Sequence, residues 1–275
     1  MTKETRSIER EVFIEADPER VWHALTDAEE IVKWFALKAE TQPGVGGYIS
    51  LSWDLKAVEP DRCHILEWEP GKHLLMTWRD APGGDNELPV EITLLHRQGG
   101  TLLRLVHSGF LSDASWDEEY ESHGRGWSYE LRSLKYYLER QFGRSRQYVL
   151  QRFPLHGDRG ATWSDVVGPS GAFAVGSDDL PEGAEFRLRL PTGATTSAEL
   201  LYFLDGRDFV ATARILQGGL FRIALEMISG EPEVWIWAFS WQLGQEDIRA
   251  IVQPAFDAVA ERLAGRPRSQ RNELH

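Results

Sequence analysis

The stretch HSGFLSDASWDEEYESHGRGWSYELRSLKYYLE, His107 to Glu139, decides how the first half of the chain is read. It leaves a strand-like run, passes through a polar acidic segment and ends in a sequence of helical period. Trp127, Leu131, Leu134, Leu138 and Phe142 recur at steps of three or four, one apolar stripe of a helix about four turns long. Gly126 is read as the tight entry to that helix and Trp127 as the anchor of its first turn. The acidic run Asp113 to Glu121 lacks the alternation and closing Glu of a calcium loop and reads as a solvated, mobile loop, a lid over whatever the helix covers.

Upstream, SIEREVFIEA alternates with the period of a strand, Ile8, Val12 and Ile14 on one face. Asp17-Pro18 stops it and opens a helix, with Asp17 as cap, Pro18 at the first position and Val21, Trp22 and Leu25 inward. A second short helix is expected from Ala28 to Trp34, capped by Asp27, its inward residues Ile31, Trp34 and Phe35, and ended by glycines 44, 46 and 47. YISLSW, CHILEW, HLLMTW, PVEITLL and TLLRLVH then follow, separated by EPGK, APGGDN and RQGG. That punctuation predicts an antiparallel meander. Strand, two short helices, meander and long helix make one domain, residues 1–144.

The remainder repeats the order over residues 145–265. RQYVLQRF is a strand and ATWSDVVG a short helix, with Trp163 ten residues after Phe153 as Trp22 falls nine after Phe13. AEFRLRL, SAELLYFL, DFVATARIL, GLFRIALEMI and EVWIWAFSWQL read as strands. A helix from about Gln245 to Leu263 carries Ile248, Ile251, Ala255, Val259 and Leu263 on one stripe. The pattern is that of a degenerate tandem duplication. Residues 266–275 read as a disordered tail.

The first half resembles the SRPBCC or START-like superfamily, and within it the relatives of the activator of the ninety-kilodalton heat-shock protein ATPase. The resemblance rests on DPERVWHALTDAEEIVKWF, CHILEWEPGKHLLMTW, GGTLLRLVHSGF and GRGWSYELRSLKYYLE, and spans residues 8 to about 142. The second half has no HSGF and no Gly-Trp before its helix. The resemblance implies an α+β, helix-grip fold, a curved antiparallel sheet wrapped around a long C-terminal helix with a cavity between them. It also implies a choice of roles: apolar ligand carriage, cyclase or hydrolase chemistry in the cavity, or stimulation of a heat-shock chaperone ATPase. Fold alone does not choose among them.

Bulk properties narrow the field. With 43 acidic against 30 basic residues the formal charge is −13, which argues against a nucleic-acid partner. No run approaches the roughly 18 apolar residues of a membrane span, and the first residues lack a secretory signal, so a soluble, cytoplasmic protein is expected. The single cysteine, Cys63, excludes an internal disulfide and reads as a small buried side chain.

Of eleven tryptophans, seven fall in the first half. Trp53, Trp68 and Trp78 each sit near the end of a strand, which suggests one rim of a pocket, although each ring taken singly is better explained by core filling. The candidate ligand-cavity residues are Trp34, Trp53, Leu66, Trp68, Met76, Trp78, Ile92, His107, Phe110, Trp127, Leu131 and Leu134. The acid–base candidates are His107 and Glu67, the latter as a partner on another strand; the plain alternative for His107 is a turn histidine bonded to backbone. No HExxH pair, nucleophile elbow, Walker lysine or complete dinucleotide loop is present, so neither metal nor cofactor is expected. The expected partner is a small apolar or aromatic ligand, with a chaperone as the alternative.

Overall fold

The computed structural model describes residues 4–53, 60–79, 87–155, 158–175, 180–228 and 231–264. The expected tail and the turn APGGDN lie outside these residues. The chain divides into two compact units at Arg144/Ser145.

In the first unit β1 (Thr5–Ile14) leads into α1 (Pro18–Thr26) and α2 (Ala28–Ile31). Then come β2 (Lys38–Gln42), β3 (Tyr48–Ser52), β4 (Asp61–Glu69), β5 (His73–Arg79), β6 (Glu87–Arg97) and β7 (Gly100–Leu111), and the unit closes with α3 (Asp117–Tyr136). The seven strands form one antiparallel sheet in the order β1-β7-β6-β5-β4-β3-β2. The fold is the α+β helix grip. Trp127, Leu131 and Leu134 of α3, and Leu138 in the turn that continues it, are all buried.

Several details differ from the sequence reading. The acidic run is not a loop: Asp113 caps a short 3₁₀ turn through Ser115 N (2.9 Å), and α3 then begins at Asp117 with Asp117, Glu118 and Glu119 in its first turn. Carboxylates there face the positive end of the helix dipole, so the charge that suggested a loop favours the helix start. Gly126 consequently lies inside α3 rather than at its entry. At the far end the helix widens into a π-helical turn, Tyr137–Gln141, and Phe142 falls outside it, exposed, with Arg20 over its ring. At the front of the unit, Asp17 makes no side-chain cap, whereas Asp27 accepts from Glu29 N and Glu30 N at 2.9 and 3.1 Å. Helix α2 stops at Ile31, and β2, unforeseen in the polar stretch Lys38–Gln42, pairs with β3 across the turn that holds glycines 44, 46 and 47.

The second unit runs β8 (Gln147–Pro154), α4 (Arg159–Val166), β9 (Val167–Gly168), β10 (Phe173–Ala174), β11 (Glu185–Arg189), β12 (Thr195–Leu204), β13 (Asp208–Ala213), β14 (Gly219–Ile228), β15 (Glu231–Ser240) and α5 (Gln245–Ala264). Its sheet is ordered β8-β15-β14-β13-β12-β11-β10-β9. In both units the first strand pairs with the last and the rest follow in descending order, so the helix-grip topology is present twice. Ile248, Val252, Ala255, Phe256, Val259 and Leu263 turn α5 onto the second core. A hollow in that core, lined by Val167, Val175, Leu200, Phe203 and Phe209 among others, measures about 10 Å³. That is room for about one water.

Candidate functional site

Cross-strand register places one histidine in a row of apolar residues. Ile8 of β1 pairs with His107 of β7, His107 with Val90 of β6, Val90 with Met76 of β5, and Met76 with Ile65 of β4. All five are buried, and His107 is 0% exposed. Burial, with a smaller contribution from His123, pushes the His107 pKa down to about 3, so the ring is neutral at ordinary pH. Its Nδ1 accepts from Trp127 Nε1 of α3 at 3.0 Å. Its Nε2 is buried with no partner among the described residues. The turn-histidine reading, with a backbone carbonyl as partner, is therefore replaced by a strand-to-helix bond.

Rings gather beside it. Trp78 lies 5.6 Å from Trp127 edge-on, 5.9 Å from Trp53 and 6.3 Å from Phe35; Phe35 lies 5.1 Å from Trp53 and 5.9 Å from Trp127. Phe110 lies 4.7 Å from His107 and His123 4.9 Å, both edge-on, and His123 also meets Trp78 at 6.4 Å. His123 Nδ1 is 3.0 Å from Glu119 O, one turn back in α3. Trp78 and Trp127 are buried, while Phe35 and Trp53 keep part of their surface in solvent.

The expected residues separate accordingly. Trp53, Trp78, His107, Phe110 and Trp127 come together. Met76, Ile92, Leu131 and Leu134 are buried. Trp34 is held structurally, its Nε1 donating to Ala24 O at 2.8 Å and its ring stacked 4.8 Å from Phe35. Trp68 does not share the rim of Trp53 and Trp78. It sits at the opposite end of the β4–β5 hairpin, 4.9 Å from Trp22 of α1.

Leu66 and Glu67 are corrected by one feature, a β-bulge in β4. Ile65 pairs with Met76 and Glu67 with Leu75, leaving Leu66 as the extra residue. The bulge shifts the phase, so Cys63, Ile65 and then Trp68 point inward, Leu66 is 46% exposed, and Glu67 faces out beside His73 (3.5 Å). His73 also meets Glu91 at 3.0 Å. No His107–Glu67 pair is assembled. Cys63 is fully buried, which pushes its thiol pKa up.

Two contributors were missing from the expected set. Phe35 stands in ring contact with Trp34, Trp53, Trp78 and Trp127. His123 is found by continuing the α3 stripe backward four residues from Trp127, a step hidden by reading that segment as a loop. Among the described residues no group of three or more His, Cys, Asp or Glu side chains is placed to hold a metal. No helix among them is long and apolar enough to cross a membrane.

Residues 15–139 match the family model described as "Activator of Hsp90 ATPase homolog 1-like protein". The same half of the chain is 31% identical to the protein MLL2253 of Mesorhizobium loti, covering 50% of this chain and 98% of that one, with a TM-score of 0.44. The chain belongs to this family. Another similar structure is the Aha1 dimer of Colwellia psychrerythraea, 20% identical, covering 50% of this activator-like chain and 99% of that one, TM-score 0.44. DynU16, from the dynemicin biosynthetic locus, is 18% identical and covers 94% of this chain and 96% of its own, TM-score 0.42. Among curated proteins, none matches the chain.

Proposed function

We propose that the first unit of this activator-like protein binds a small apolar or aromatic molecule against the rings between α3 and the sheet. The observation that carries this reading is the state of the ring cluster. Trp78 and Trp127 form its buried floor, while Phe35, in contact with both, and Trp53, in contact with Phe35 and Trp78, remain partly open to solvent. An aromatic surface left partly uncovered at a sheet–helix junction is the chemistry of a ligand site, where apolar burial supplies affinity and a few polar atoms fix orientation. No metal or nucleotide is required for such binding.

The test starts with protein purified from its native host, extracted under denaturing conditions and analysed by mass spectrometry for a released small molecule. A reproducible apolar compound near one equivalent supports the reading. Ligand-free native protein, together with unchanged retention of added aromatic compounds in Phe35→Ala and Trp53→Ala, removes it.

A second reading follows from the family description itself: the first unit as a stimulator of a chaperone ATPase. Its measurement is ATP turnover by the host's ninety-kilodalton heat-shock chaperone with and without this protein. Unchanged turnover at saturating protein rejects it.

A further inference from the structure

His107 holds a hydrogen-bond donor that the fold does not use. Trp127 Nε1 can only donate, and it lies 3.0 Å from His107 Nδ1, so that nitrogen accepts and carries no proton. A neutral imidazole with a bare Nδ1 has its proton on Nε2. The tautomer is thus set by α3, and it aims an N–H from Nε2, a buried atom that meets no acceptor among the described residues. A buried donor left without a partner is costly, and natural interiors rarely keep one without a reason.

The surroundings restrict what satisfies it. Phe110, His123 and Trp78 lie 4.7, 4.9 and 6.3 Å away by ring centroid, Ile8 and Val90 flank the ring across the sheet, and of these neighbours His123 is the one polar ring. A water normally needs two to four polar partners, and these walls offer mostly carbon. A carboxylate would lose its hydration in exchange for one donor, which does not compensate. A neutral acceptor-only oxygen has neither difficulty.

Resting on the ligand-binding reading above, we infer that the bound molecule is an aromatic compound bearing a neutral carbonyl oxygen, a ketone, aldehyde or amide. That oxygen accepts a hydrogen bond from His107 Nε2–H, while the ring of the compound lies against Trp78 and Trp127. His107 is then a specificity group acting as a fixed donor, and Trp127 a positioning residue that holds its tautomer.

The test uses the full chain and two probes of nearly equal shape, 2-acetylnaphthalene and 2-isopropenylnaphthalene, which differ in C=O against C=CH₂. Affinities are measured by quenching of tryptophan fluorescence. The ketone is expected to bind about tenfold or more tightly than the alkene, the scale of one well-made buried hydrogen bond. In His107→Leu the ratio of the two affinities is expected to fall to about one. Should that variant not fold, ring ¹⁵N spectra of the wild-type protein serve instead: the ketone should move the His107 Nε2–H resonance and the alkene should not. Equal affinities in the wild-type protein with an unmoved Nε2–H overturn the inference and leave apolar binding standing. Failure of both probes to bind overturns the ligand-binding reading and this inference with it.

Discussion

At His107 a titratable group is built into an interior row, and its consequence for stability has a definite sign. Its folded-state pKa, about 3, lies below the roughly 6.5 of an unfolded histidine. Between these values the unfolded chain binds the proton and the folded chain does not, so stability is full above about pH 6.5 and is lost as pH falls toward 3. The slope contributed is up to about 1.4 kcal/mol for each pH unit. Urea unfolding of the wild-type protein and of His107→Leu at pH 7, 5.5 and 4.5 should show the wild type losing stability more steeply; parallel curves would mean the ring is not held neutral. At Cys63, buried in β4, the same desolvation keeps the thiol protonated, so slow alkylation of the folded protein relative to the urea-unfolded chain is expected.

Helix α3 is the element in which sequence and structure agree and differ most instructively. Its stripe Trp127, Leu131, Leu134, Leu138 is visible in the sequence because a buried face must repeat at the helical period. The preceding turns were obscured because solvent-facing acids dominate them, although Trp116, Tyr120 and His123 continue the spacing backward. The bulge at Leu66 has no local signature at all, since only the partner strand reveals which residue is unpaired. Likewise β2, Lys38–Gln42, has Thr41 as its only branched or aromatic residue and is fixed by its pairing with β3.

Two predictions belong to this scale. Gly126 lies within α3, and a methyl group added there meets nothing within 4 Å among the described residues. Gly126→Ala should stabilise the protein by about 0.5–1 kcal/mol through helix propensity, read as a rise in Tm. At the other end of α3, the Tyr137 hydroxyl donates to buried Glu30 at 2.6 Å, and Lys33 meets the same carboxylate at 2.5 Å. Tyr137→Phe leaves that carboxylate with one bond fewer and should cost about 1–3 kcal/mol in urea unfolding. A cost near zero would show that water replaces the hydroxyl freely.

For the whole molecule, the tandem arrangement was legible because each half repeats strand, short helix, meander and long helix, and the two sheet orders bear this out. The two interiors have diverged. The second unit surrounds a hollow of about 10 Å³ with Val, Leu and Phe, whereas the first places a histidine among its rings. Ligand binding is therefore expected to reside in the first unit. Residues 1–144 expressed alone should retain it, and residues 145–275 should show none, as measured by equilibrium dialysis with 2-acetylnaphthalene. Binding confined to the second fragment would reverse the assignment.

The bulge in β4 has an evolutionary reading. Because Leu66 has no partner opposite it in β5, chain length at that point is decoupled from the faces of the strand: with or without it, Cys63, Ile65 and Trp68 stay turned inward. Position 66 is thus where an ancestral insertion or deletion of a single codon passes without scrambling the interior. A gap falling there in an alignment of related chains would mark a silent change in length rather than a change of fold.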